Sequence, residues 1–502
     1  MRNRNSFFLF VNTVFVNNCE ILFHIVTVKR RIFMQIHSEI SQVMSYMQKE
    51  LRVDRNFDVI YRVMKIGDHQ AVLYCIDGFT KDEILEKLLE FLFKQIPKEF
   101  PEDAHEFSKI LLPYAEIGLA KQYDDAILKL LCGQTLLFID GYAQCLEIDC
   151  RTYPARSVSE PEKDKTMRGS RDGFVETLVF NTALIRRRIR DPQLTMEVLQ
   201  TGRRSMTDIC LCYIEDRVDS GLLEKLRRKI QSLEVDALTM NQQSLAECIY
   251  PYKWYNPFPK FKFTERPDTA AACVLEGNIA ILVDNSPSAL ILPSSVFDII
   301  EEADDYYFPP ITGTYLRLTR LIISIMTLIV TPLWLLLMQN PDWLPDWLLF
   351  IRVKETVNVP LILQLLLLEL SIDGLRLAAV NTPSMLTTPL SVMAALVLGE
   401  FSVKSGWFNS EPMLYMAFVA VANYTQSSFE LGYAIKFMRL ITLILTAIFN
   451  LPGFIAGVII SVLAITCNKT FSGRNYFYPI IPFSWRKVKE RFFRLRLHHT
   501  ER

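Results

Sequence analysis

Residues 359–380 read VPLILQLLLLELSIDGLRLAAV. The run is long enough to cross a hydrocarbon core of about 30 Å, yet it carries Glu369, Asp373 and Arg376 in its middle. At about 100° per residue these three positions fall within roughly 60° of one another, on one face of a helix. A charge in lipid costs on the order of several kcal/mol unless it is paired or meets water, so that face is expected to meet protein or a polar cavity. Two readings stay open for the stripe. One is an ion or substrate path, or a charge network that gates one. The other is a packing device in which Asp373 and Arg376, at i,i+3, pair with each other and Glu369 needs a further partner or a proton.

Outward from this run the same apolar character holds from about Thr314 to Cys467. Residues 318–338 form the clearest span, with Arg317 and Arg320 at its entry and Pro332 as a kink. The tryptophans of 341–347 (PDWLPDW) suit an interfacial belt or a short surface helix. Residues 390–403 reach spanning length only with 386–389 added, and Glu400 lies near their end. Residues 413–423 are too short to cross, and Thr425-Gln426-Ser427-Ser428-Phe429-Glu430 then interrupts the pattern. Polar breaks at membrane depth survive only where protein or water surrounds them, so Thr425, Gln426 and Glu430 join the candidate path residues. Glu400, Glu430 and Lys436 also suit positions at an interface. Residues 440–451 and 454–467, separated by Pro452-Gly453, are either two short arms or one kinked span. The tail 485–497 holds six Lys/Arg against one Glu, which puts it in the cytoplasm and asks for an even number of crossings, four or six.

The part before residue 310 has an ordinary soluble composition, so a formal net charge of zero averages two unlike halves. Alternation in 57–66 and 71–76 around Gly67-Asp68-His69-Gln70 predicts a hairpin, followed by a helix over 81–93. A second hairpin is expected from 135–139 and 143–148 around Asp140-Gly141. The grammar returns with a strand at 209–214, a helix over 220–230, a hairpin of 271–275 and 279–283 around Glu276-Gly277-Asn278, and a strand at 288–292. Ile76 and Ile214, which each precede a Leu-Glu-Lys-Leu helix, lie 138 residues apart. That offset predicts two related α/β modules in tandem.

The expected organisation is an α/β cytosolic region of two such modules followed by an α-helical multi-span membrane domain. Residues 1–33 are an extension, read either as an anchor-like segment or as an upstream addition before Met34. The modules occupy 34–150 and 171–311, with a linker at 151–170. The membrane domain covers 312–480 and a basic tail 481–502. A helix is expected over 171–190, its Arg186-Arg187-Arg188 cluster forming a solvated or interdomain face. Nucleic-acid binding is disfavoured because no aromatic-interleaved basic patch accompanies it.

Ten cysteines lack CxxC spacing and read as buried free thiols, with Cys210 and Cys212 pointing to one face of a strand. The six histidines form no spaced set, so neither a metal site nor a cofactor is expected. No phosphate loop and no nucleophile–base constellation is readable, which makes a membrane-tethered enzyme the remotest of the functional classes.

The strings RDGFVETL (171–178), NTALIRRRI (181–189), GRRS (202–205), NPFP (256–259), TERPD (264–268), LEG (275–277) and VDNSP (283–287) resemble the signature of the GerA family of spore germination proteins. The resemblance runs in order from about Met34 to Lys489. It implies residence in the spore inner membrane, a cytosolic domain pair and a multi-span domain. It also implies a homo-oligomer, with a pentamer as the family's form, that opens as a cation channel in germination. The strings CIDGFTKD (75–82) and ERPDTAA (265–271) favour the branch associated with dipicolinic acid release and a small membrane partner. The alternative is an A subunit of a nutrient germinant receptor. Many relatives carry Pro-Ser-Tyr where this chain has Ser427-Ser428-Phe429, so the family's helix break is not guaranteed here.

Overall fold

Strands β1 (Val59–Ile66) and β2 (His69–Ile76) pair antiparallel with Ile66 opposite His69, the hairpin that Gly67 closes with a left-handed backbone. The computed structural model describes residues 34–94, 100–112, 114, 116–152, 164–250, 253–355, 357–383, 388 and 392–494. By internal contacts the chain divides into two units: residues up to 154 together with 186–196, and 155–185 together with 197–502.

The first unit adds α1 (Ile40–Leu51), α2 (Asp82–Lys94), α3 (Ala104–Ile110), β3 (Ile117–Ala120), α4 (Tyr123–Leu131), β4 (Thr135–Ile139) and β5 (Cys145–Ile148). Its sheet has the order β1-β2-β4-β5-β3. Leu73, Leu137 and Leu146 of the sheet bury against Leu88 and Leu92 of α2 and Phe107 of α3. Those apolar residues recur at i and i+4 on α2, so one stripe of that helix covers one face of the sheet. Arg186, in the segment that belongs to this unit, is 1% exposed and grips Asp58 at 2.8 and 2.9 Å. Of the two alternatives for this cluster, a solvated or an interdomain face, the solvated one is corrected for Arg186: its guanidinium is a buried staple, and Arg187 is the exposed member of the cluster.

Helix α5 (Leu178–Arg188) leads to β6 (Leu194–Thr201), β7 (Thr207–Ile214), α6 (Ser220–Gln231), α7 (Asn241–Ile249), β8 (Lys262–Thr264), α8 (Pro267–Leu275), β9 (Ile279–Val283) and β10 (Ala289–Leu292). The second sheet has the order β6-β7-β9-β10-β8, the same succession as the first. Asp219 caps α6 by accepting from Gly221 N and Leu222 N at 3.1 Å. Leu223, Leu226 and Ile230 of α6 then pack on Leu211, Ile281 and Leu290. Residues 271–275, expected as a strand, are helical instead, the end of α8: Pro267 starts that helix at N1, and AAACVL has no alternation to hold a strand. The hairpin partner of β9 is β10, across the Asn285–Pro287 turn, and β7 pairs its other edge. Cys210 and Cys212 do share a face, with Sγ atoms 3.7 Å apart and both side chains buried; the described cysteines are free thiols.

Helices α9 (Val296–Ile300) and α10 (Asp304–Tyr307) carry the chain into α11 (Pro310–Gln339), which is about 45 Å long at 1.5 Å per residue. The helix continues through Pro332. Short 3-10 turns follow at Pro341–Trp343 and Asp346–Ile351, with Trp343 and Trp347 exposed. Then come α12 (Leu361–Asn381), a π-helical stretch at Ala395–Phe401, α13 (Ser410–Tyr424) and α14 (Phe429–Thr466). Residues 386, 387 and 389–391 of the expected third span lie outside the described residues. Helices α11 and α14 are each long and apolar enough to cross a membrane.

Helix α14 is not straight. Asn450 breaks it with φ 57° and ψ −135°. A Cβ on Gly453 would sit 1.9 Å from Leu445 O, and one on Gly457 2.6 Å from Thr442 Cα. Residues eight or fifteen apart in a continuous helix lie about 12 and 22 Å apart, so the chain folds back on itself at Asn450. Of the two readings left open for 440–467, the two-armed one holds. The first arm, however, begins at Phe429 and is about 31 Å long, not short. Gly457→Val should therefore lower the thermal midpoint in detergent by an amount equivalent to about 1–3 kcal/mol. Gly432→Ala, whose nearest neighbour would be 3.9 Å away, serves as the control expected to stay near the parent.

The helix directions follow from side-chain bonds. Ser324–Gln426, Thr327–Arg439 and Gln339–Ala447 climb together, so α11 runs parallel to the first arm of α14. Glu369–Arg439 and Asp373–Lys436 run oppositely, so α12 is antiparallel to that arm. Asn409 beside Gln364 and Tyr424 beside Arg376 set α13 parallel to α12.

Candidate functional site

The first arm of α14 carries Lys436 and Arg439 at i,i+3 within an apolar run, and both face α12. Arg439, 1% exposed, donates from Nη2 to both carboxylate oxygens of Glu369 at 2.7 Å. Its Nη1 reaches Thr327 O of α11 at 3.3 Å, so one guanidinium joins three helices. Lys436 bridges Glu369, at 3.2 Å, and Asp373. Glu369 is 7% exposed, whereas the Asp373 side chain is 30% exposed, so the cluster opens outward along α12.

Arg376 lies one turn further. Its guanidinium stands over the rings of Tyr424 and Tyr433 at 5.1 and 5.5 Å, and its Nε has no hydrogen-bond partner. The anticipated Asp373–Arg376 pair is replaced, because a lysine on the facing helix reaches Asp373 and the tyrosines occupy the arginine. Two carboxylates thus meet two cations, Lys436 and Arg439, from the facing helix, while Arg376 rests against tyrosine rings beside them.

The other expected residues lie apart from this cluster. Thr425 caps α13 by donating to Ala422 O at 2.8 Å. Gln426 is buried and accepts from Ser324 at 3.1 Å, leaving its amide nitrogen without a partner. Glu430 sits in the first turn of α14, behind Ser428, whose hydroxyl caps Leu431 N at 3.3 Å; the break thus forms without the family's proline. Glu400 pairs, among the described residues, with Lys404 along its own exposed helix turn. Sequence reading passed over Arg439 and treated Lys436 as an interface residue. The missed signal was their i,i+3 spacing in an apolar helix, opposite in sign to Glu369 and Asp373.

A second network ties the second sheet to the base of α11. Asp305 is fully buried between Arg320, at 3.2 Å, and Arg317, at 3.4 Å. Arg317 also holds Glu301 at 2.7 Å, and Arg320 holds Glu302 at 2.9 Å. From helix α15 (Trp485–Phe492), Arg491 reaches Asp298 at 2.6 Å and Glu301 at 2.8 Å. Burial pushes the Glu301 carboxyl up, but Arg491, Arg317 and Lys262 outweigh it and hold it below its ordinary range. For Glu302 burial wins over Arg320 and the carboxyl is raised. Among the described residues no group of three His, Cys, Asp or Glu could hold a metal ion.

A model of the Bacillus/Clostridium GerA spore germination protein family matches residues 45–502. Stage V sporulation protein AF of Bacillus subtilis (strain 168) is 36% identical over 440 residues, 88% of this chain and 89% of that protein. Spore germination protein KA of the same organism is 29% identical over 453 residues, covering 88% and 82% of the two chains. The N-terminal domain of the A subunit of the Bacillus megaterium spore germinant receptor GerK3 aligns with TM-score 0.40 and 24% identity, over 52% of this chain and 98% of that one.

Proposed function

The chain belongs to the GerA family of Bacillus/Clostridium spore germination proteins, and from that premise we propose that it is an oligomeric ion-channel subunit of the spore inner membrane. The observation that carries the reading is the cluster of Glu369, Asp373, Arg376, Lys436 and Arg439. Ionisable groups at membrane depth are costly and mark paths or gates more often than they serve packing alone. Here the cluster is sealed at Glu369 and half-open at Asp373, the arrangement a gate needs.

In this reading the membrane domain crosses an even number of times, because α15 bonds the base of α11 and brings the tail back to the side of the sheets. That side is cytoplasmic by the basic tail, Trp485–Phe492 and beyond. The shared strand order of the two sheets supports descent of both modules from one ancestor. Similarity to stage V sporulation protein AF favours a part in dipicolinic acid and ion release. Similarity to spore germination protein KA supports the alternative, an A subunit working with other receptor subunits.

Purified protein in liposomes tests the channel directly. Cation flux above protein-free vesicles is the expected result, and Asp373→Asn, at the half-open end, should change it by about tenfold or more. No flux from intact, folded protein would overturn the reading.

A further inference from the structure

Two exposed aromatic–basic segments that lie far apart in sequence are held beside the ends of the apolar helices. The first is the turn at 253–256. Trp254 there is 95% exposed and Tyr255 63%, with Lys253 over the Tyr255 ring at 5.8 Å. Its base is pinned to the residues that follow α14. Asn256 Nδ2 donates to Asn468 Oδ1 at 3.1 Å, and Lys260 Nζ donates to Lys469 O at 3.1 Å.

The second segment is 481–489, which enters α15. Phe483 is 66% exposed, Trp485 61%, and Ile481 41%. Lys489 stands over the Trp485 ring at 5.3 Å. Arg486 and Lys487 share one acid, Glu490, at 3.7 and 3.2 Å. This segment is pinned to the other helix end: Arg317 Nη1 donates to Arg491 O at 2.8 Å, and Arg494 N donates to Thr314 Oγ1 at 3.0 Å.

Both segments therefore sit where α11 enters and α14 leaves the apolar layer. Trp and Tyr prefer that depth, since one edge of the ring is apolar and the other hydrogen-bonds. Lysines beside them gain from anionic headgroups. We propose that the 253–256 turn and the 481–489 segment form one collar that seats in the headgroup layer of an anionic bilayer. The collar rests on the reading of α11 and α14 as membrane-crossing helices. It would hold the second sheet and α15, with its Arg491 contacts, at a fixed height against the base of α11.

Hydrogen exchange on the full chain in nanodiscs tests this. Amides of 253–258 and 483–493 should exchange about tenfold more slowly in phosphatidylglycerol than in phosphatidylcholine, and the variant Lys253→Gln/Arg486→Gln/Lys487→Gln/Lys489→Gln should lose that difference. Equal rates in the two lipids, with 328–336 of α11 protected in both, would overturn the collar and leave the spans standing. Rapid exchange of 328–336 in both lipids would instead remove the membrane-crossing premise.

Discussion

Methionine in place of Arg439 should lower the unfolding free energy of the detergent-solubilised protein by about 3–5 kcal/mol, measured by thermal or denaturant melts. Arg439 is 1% exposed and supplies two of the contacts that neutralise Glu369, so its loss leaves that carboxylate with Lys436, at 3.2 Å, as its one cation among the described residues. Glu369→Leu should cost a similar amount, because it strands the guanidinium between three helices with Thr327 O, at 3.3 Å, as its one remaining acceptor among the described residues. The double variant Glu369→Leu/Arg439→Met removes both charges at near-equal volume. Its stability should return to within about 1–2 kcal/mol of the parent, since a buried pair seldom outperforms packed apolar groups. That variant separates the two readings of the stripe. If it folds and still conducts in liposomes, the Glu369–Arg439 pair is a packing device. If it folds and flux falls at least about tenfold, the pair belongs to the path or its gate.

The stripe itself was legible because helical periodicity is local: nothing beyond 359–380 is needed to put Glu369, Asp373 and Arg376 on one face. Their partners were not, since Lys436 lies 63 residues from Asp373 and Arg439 lies 70 from Glu369. Only the facing of two antiparallel helices joins them. A local i,i+3 rule therefore suggested Asp373–Arg376, and tertiary geometry supplied a better donor. The sheets show the same division. The hairpin β1–β2 was readable from alternation and a Gly turn, whereas β3, β6 and β8 went unread. Two of these are short, and all three lie at a sheet edge, where half-exposed residues blur the pattern. Residues 271–275 misled because a short apolar run has no period that distinguishes a strand from a buried helix end. The fold-back at Asn450 was half visible in Pro452-Gly453. The deciding facts, the close approaches of Gly453 and Gly457 to the first arm, exist only in three dimensions.

Alanine at Asp305 should uncouple the second sheet from the helices above it. Asp305 is fully buried and is the one carboxylate that touches both Arg317 and Arg320 among the described ion pairs. Removing it leaves two guanidinium groups, 6% and 7% exposed, each with a single remaining acid: Glu301 for Arg317 and Glu302 for Arg320. Breaking a buried network in this way costs about 3–5 kcal/mol. The cost falls on a joint, not on either core. The sheet keeps Leu211, Leu226 and Ile281 packed, and the helices keep their own contacts. The expected signature is therefore a change in cooperativity: one melting transition for the second unit in the parent, and two in Asp305→Ala, with the lower one carrying the near-ultraviolet signal of Tyr306 and Tyr307. Arg491→Gln provides the graded comparison. It loses Asp298 and Glu301, but Arg317 still covers Glu301 at 2.7 Å. Its effect should be smaller, about 1–3 kcal/mol, with a single transition retained. If Asp305→Ala melts in one step at the parent midpoint, the buried network does not hold the joint, and the second sheet cannot transmit strain to α11 through it.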